Sequence, residues 1–163
     1  MKIELFDYDP TWPDKFELER KRLHSVLAPW LFGSIEHVGS TAISDMIAKP
    51  IIDIMVGVKS LNGSRGAIEA LCRHGYCYYP YKPEQMHWFC TPSPTFRTHH
   101  VHLIPYRNAL WFERLNFRDK LRGNQELADQ YAQLKLSLVQ KKRDDREAYT
   151  REKWLFIQNV LEL

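Results

Sequence analysis

A chain of 163 residues with 44% hydrophobic and 26% charged residues can bury a core without cross-links and is too apolar to stay disordered. A formal charge of +3 permits an anionic ligand but falls short of a nucleic-acid-coating surface. Three cysteines without paired ligand spacing predict free thiols in a reducing cytoplasm, and no membrane-length apolar run or apolar leader follows Met1.

Residues 1–10 read as an extended lead ending at Asp9-Pro10. Thr11-Trp12-Pro13-Asp14 is a helix start, with Thr11 as the expected cap and Pro13 in the first turn. Phe16, Leu18, Leu23, Val26 and Leu27 continue it to a stop at Ala28-Pro29. Leu31 to Val38 is the first predicted strand, Gly39-Ser40-Thr41 a turn, Ala42 to Ala48 a short helix, and Pro50 to Val58 a second strand. Leu61-Asn62-Gly63-Ser64 is a turn, and Ala67 to Arg73 a helix closed by Gly75. Tyr76-Tyr79 and His87-Cys90 read as two strands, Thr91-Pro92-Ser93-Pro94 as a loop, and Thr98 to Pro105 as a further strand. From Ala109 the apolar period becomes helical, with three helices spaced by Gly123 and by the polar run after Val139. The order predicts one α+β domain over residues 1–163, a mixed β-sheet flanked by helices with a helical C-terminal segment.

Asp53 stands out. On a strand, Ile52, Ile54, Val56 and Val58 share one face while Asp53, Met55 and Gly57 share the other. A carboxylate on the second face suits a cleft or a bound cation better than a core; a salt bridge to Lys49 or Arg97 is the structural alternative. Gly39-Ser40, leading into a helical turn, offers backbone N–H groups and a hydroxyl to a phosphate. Thr41 belongs to the same turn, Lys49 could reach an anion as a point charge, and Arg97 could fork a phosphate. His100 and His102 share one strand face, so with Asp53 they could form a metal shell or handle a proton; strand histidines that only support structure are the alternative.

Weaker candidates are Glu36 and His37 beside Asp53, and Trp88, Phe89 and Phe96 as a base-binding floor or as core. Tyr149 and Lys153 could reach back to a cleft from the last helix. Arg118-Asp119-Lys120 and Lys141-Lys142-Arg143 read as solvated helix faces. No nucleophile elbow, phosphate-binding P-loop or dinucleotide glycine pattern occurs.

His37-Val38-Gly39-Ser40-Thr41-Ala42 followed by Ala48-Lys49-Pro50-Ile51-Ile52-Asp53-Ile54 resembles the signature of the GrpB family, within the DNA polymerase β-like nucleotidyltransferase superfamily. The likeness extends from Tyr8-Asp9-Pro10-Thr11-Trp12 to Tyr149-Thr150-Arg151-Glu152-Lys153. It implies a nucleotidyltransferase fold, with Gly39 and Ser40 on nucleotide phosphates, to which Thr41, Lys49 and Arg97 are the expected additions from their own positions. It also implies Asp53, with His100 and His102, on a metal, Mg²⁺ first and Mn²⁺ or Zn²⁺ as alternatives. Asp53 and His102 become the expected catalytic pair. Where the superfamily carries a second acid on this strand the chain has Met55, and a later strand gives histidines in place of a carboxylate. The expected function is therefore nucleotidyl transfer from an NTP to an unknown acceptor. The alternative is an inactive module binding a nucleotide or phosphorylated metabolite, with a His/Asp transition-metal hydrolase third.

Overall fold

The computed structural model describes residues 3–142 and 145–163. Strands Leu31–Val38 (β1), Ile52–Val58 (β2), Cys77–Tyr79 (β3), His87–Pro92 (β4) and Arg97–Pro105 (β5) join in the order β1-β2-β5-β4-β3. The β2–β5 pair is parallel and the others are antiparallel, so the sheet is mixed as the sequence predicts. The helices are Trp12–Val26 (α1), Arg65–Arg73 (α2), Ala109–Arg122 (α3), Gln125–Lys142 (α4) and Arg146–Leu161 (α5).

Strand alternation divides the core. Ile52, Ile54, Val56 and Val58 pack with Val101 and Leu103 against Trp12, Leu23 and Leu27 of α1 and Ala67 and Leu71 of α2. Met55, Trp88, Cys90 and Ile104 cover the opposite face with Trp111 of α3. Burial of such side chains contributes on the order of 1.5–3 kcal/mol each, and two covered faces suit a parallel pair at the sheet centre. A third cluster, Ile43, Met46, Phe117, Leu121, Ala128, Tyr131 and Val160, ties α3, α4 and α5 to the segment after β1.

The register places Val38, Asp53, His100, Cys90 and Cys77 in one row across the sheet, with Glu36, Met55, His102, Trp88 and Tyr79 in the next. Asp53 is therefore beside His100 by pairing and diagonal to His102. Cys72, Cys77 and Cys90 are free thiols. No helix among the described residues is long and apolar enough to cross a membrane.

Several local expectations fail for identifiable reasons. The helix expected over Ala42 to Ala48 is a single 3₁₀ turn, Ser40–Ala42; Ile43 is already extended, Asp45 has φ 63°, and Ala48 bridges to Phe6. That bridge also makes the N-terminal lead part of the structure. Thr11 makes no cap bond; its hydroxyl donates to Asp9 Oδ1 at 2.7 Å instead. β4 runs on through Pro92, which the sequence assigns to a loop.

Arg118 and Lys120 are not a solvated face. Arg118 pairs with Glu36 at 2.9 Å and donates to the His37 carbonyl, while Lys120 donates to the carbonyls of Val160 and Leu163, closing α5. Lys141 is exposed as expected, and Arg143 lies outside the described residues.

Candidate functional site

The centre of the site is Asp53, which keeps 29% of its side chain exposed while the strands around it are buried. Its Oδ1 lies 3.1 Å from His100 Nδ1 and 3.7 Å from His102 Nε2. Burial raises the Asp53 pKa, but the two imidazoles bonding to it outweigh that and hold it well below the usual carboxylate range. The residue is ionised at any physiological pH. His102 is itself pushed down to about 4, first by burial and then by the positive charge of Arg114, whose Nη1 lies 2.6 Å from His102 Nδ1.

Gly39 places the turn against this carboxylate. At φ 77° and ψ −173° it holds a backbone shape that other residues rarely adopt. A Cβ there would stand 2.5 Å from Asp53 Oδ2, so Asp53 and the Ser40 turn meet only because residue 39 has no side chain.

Beside the turn the helices supply cations. Lys135 of α4 is only 1% exposed and donates to Ser40 Oγ at 2.9 Å and to the Ile47 carbonyl. Its ammonium lies 4.8 Å from the Tyr131 ring centre. Burial, with Lys153 and Lys49 nearby, pushes its pKa down to about 7. Lys49 is pushed down to about 8, by burial first and then by the charges of Lys153 and Arg146, with a smaller contribution from Arg97. Lys49 and Lys153 both stand 5.3 Å from the Tyr149 ring. No carboxylate pairs with Lys49, Lys135 or Lys153 among the described residues. Mutual repulsion among half-buried ammonium groups is the signature of a place that an anion would relieve.

The expected residues thus sort unevenly. Gly39, Asp53, His100 and His102 lie together, with Ser40 next in the turn and held by Lys135, and Lys49 stands against Tyr149 within charge range of Lys135. Arg97 stacks over Trp88 at 5.2 Å with its Nε on the Pro94 carbonyl, on the far side of His100 from Ser40. Thr41 faces away: its buried hydroxyl donates to the Ile51 carbonyl at 3.2 Å and accepts from His37 Nε2 at 2.9 Å. His37 stacks on Phe16 on the opposite sheet face, and Glu36 is taken by Arg118. Trp88 packs against His100, Phe89 is core and Phe96 is 67% exposed.

Tyr149 is 1% exposed, in the cluster of Ile3, Leu138 and Val139, with Lys49 and Lys153 against its ring. Lys135 and Arg114 are additions; each sits on the apolar stripe of its helix, Lys135 four residues after Tyr131 and Arg114 three after Trp111, and a cation on a buried stripe was their signal.

The three side chains Asp53, His100 and His102 bring ligand atoms within 4.8 Å of one another. One carboxylate and two imidazoles do not match the oxygen shell that Mg²⁺ takes. A separate cavity of about 640 Å³ runs along the outer edge of β1, lined by Tyr8, Phe16, Glu36, His37, Arg118 and Arg122, without Asp53. It is not the site described above.

A cytoplasmic RNA terminal U-transferase shares the fold, with a TM-score of 0.50 at 14% identity over 83% of this chain and 40% of that one. The chain belongs to the GrpB protein family, which it matches over residues 2–163. The crystal structure of the conserved protein GrpB from Enterococcus faecalis superposes with a TM-score of 0.86 at 29% identity, covering 98% of both chains. A UPF0157 protein of Pseudomonas aeruginosa is 38% identical over 98% of this chain. The chain spans 66% of that relative's length and 45% of a Bacillus subtilis relative that is 32% identical.

Proposed function

We propose that this protein binds a nucleotide, or a phosphorylated metabolite of similar size, with its phosphates on the Ser40 turn. The observation that carries the reading is Lys135: a buried ammonium bonded to Ser40 and crowded by Lys49 and Lys153. Bringing phosphate to Ser40 would neutralise three cations whose desolvation the fold otherwise bears alone. Gly39 lets Asp53 approach the turn, so Asp53, held by His100, stands on the sheet side of the phosphates. The nucleotidyltransferase frame makes a nucleotide the first class to try.

A second reading has its own support. Asp53 and its two histidines are more elaborate than phosphate binding requires, which favours group transfer from the bound nucleotide to an acceptor hydroxyl with release of pyrophosphate. Met55, buried where a second acid would stand, favours binding alone.

Titration calorimetry with ATP, GTP, CTP and UTP, run beside a pyrophosphate-release assay, separates the two. Saturable binding that Lys135→Met weakens at least about tenfold, while Arg118→Ala leaves it unchanged, is the expected result. Pyrophosphate release that stops in Asp53→Asn would establish transfer. Binding that Lys135→Met leaves intact would remove the phosphate assignment.

A further inference from the structure

Arg114 of α3 does not bond to an acid. It lies among Trp111, Met86 and His102, half-buried, and no carboxylate lies within ion-pair distance among the described residues. A guanidinium carries only donors, so at 2.6 Å it must donate to His102 Nδ1, which is then a lone-pair acceptor. A neutral imidazole with Nδ1 as acceptor carries its proton on Nε2. That Nε2 is buried, has no hydrogen-bond partner and faces Asp53 Oδ1 at 3.7 Å.

The polarity is the reverse of a metal shell. A histidine that ligates through Nε2 keeps its proton on Nδ1 and donates it to a carboxylate, carbonyl or water. Here Nδ1 already receives a donor that can never be an acceptor. An ion on Nε2 and Arg114 on Nδ1 exclude one another, and the guanidinium would also repel a dication set beside Asp53.

We infer that Arg114 is a positioning residue that makes the Asp53–His100–His102 cluster a metal-free centre. It fixes the His102 proton on Nε2, turned toward Asp53, and sets its own positive charge behind that ring. His100 is oriented the other way round: Asp53 is an acceptor only, so His100 Nδ1 carries a proton toward Asp53 Oδ1 at 3.1 Å. Asp53 Oδ1 thus faces opposite ring positions of the two histidines, Nδ1 of His100 at hydrogen-bond distance, 3.1 Å, and Nε2 of His102 at 3.7 Å. This inference stands apart from the phosphate reading, because it concerns the other side of Asp53 and is read by a different measurement.

Long-range ¹⁵N–¹H spectra of histidine-labelled protein, assigned with His100→Gln and His102→Gln, report the tautomers directly. The expected pattern is Nε2–H on His102 and Nδ1–H on His100. Calorimetry with Zn²⁺ and Mn²⁺ should then show no stoichiometric site in the wild type at millimolar ion. Arg114→Leu should gain at least about tenfold in Zn²⁺ affinity, the size expected when a group behind a ligating histidine is changed. Arg114→Lys keeps a donor-only group against Nδ1 and should stay metal-poor, which guards against a folding defect in the leucine variant. A proton on Nδ1 of His102, or a wild-type Zn²⁺ or Mn²⁺ site lost in both His100→Gln and His102→Gln, overturns the assignment. So does an Arg114→Leu protein that folds and gains no affinity.

Discussion

Lys135 and Ser40 stand 95 residues apart in the chain and meet at 2.9 Å, so the last part of the fold completes a turn laid down in the first. Because the lysine is charged only at a cost, the contact serves a ligand better than it serves stability. Lys135→Met is therefore expected to bind nucleotide at least about tenfold more weakly and to unfold no more easily than the wild type, since an apolar group of similar volume is often neutral or stabilising in such a place. Calorimetry and thermal melting check the two halves. Loss of stability without loss of binding would make Lys135 structural.

The same lysine sets a pH dependence. Its pKa is about 7 in the folded chain against 10.5 ordinarily, so between those values the unfolded chain holds a proton that the folded chain does not. The stability of the fold should therefore rise with pH from about 7 to 10, with the cost of the buried charge fully present below about 7. Lys49, at about 8, adds to the slope from that pH upward. Urea titrations at stepped pH should show a shallower slope in Lys135→Met. Nucleotide affinity should move the other way, falling above neutral pH as these ammonium groups lose their charge.

Gly39→Ala tests the close approach of the turn to the sheet. The new methyl meets Asp53 Oδ2 at 2.5 Å in a backbone shape that only glycine takes easily, so a loss of about 1–3 kcal/mol is expected. Nucleotide binding, measured where the variant is folded, should weaken with it. An alanine accepted without change in melting temperature would mean that the turn and Asp53 are not held together as described.

Arg118 gives a control outside the site. Its side chain is 11% exposed and joins α3 to β1 through Glu36 and the His37 carbonyl. Arg118→Ala should cost about 2 kcal/mol by leaving charged hydrogen bonds unmade, with no change in nucleotide affinity. A fall in affinity would draw the cavity at the β1 edge into the site.

Much of the frame can be read in the amino acids because it depends on local patterns. The two faces of Ile52–Val58, the helical periods after Ala109 and the Gly75 helix end all follow from side-chain alternation or backbone chirality. Asp53 was legible for the same reason, as an acid on a strand with an apolar reverse face. The segment Ala42 to Ala48 was not: its apolar spacing suits a helix, yet a bridge to Phe6 and the extended residue before Pro50 decide its path. Thr41 was assigned to phosphate by its place in the turn, and only the fold shows that His37 and the Ile51 carbonyl use its hydroxyl. Lys135 and Arg114 carry no motif beyond a cation set on the apolar stripe of each helix. Their roles come from helices that dock across the sheet, which no spacing within one element records.

The most direct test of the phosphate site is a crystal structure with a non-hydrolysable nucleoside triphosphate. Phosphate oxygens within hydrogen-bond reach of Ser40 and Lys135, with Lys49 alongside, are the expected result. A nucleotide seated in the cavity at the outer edge of β1, with no phosphate oxygen in reach of Ser40 or Lys135, would contradict it.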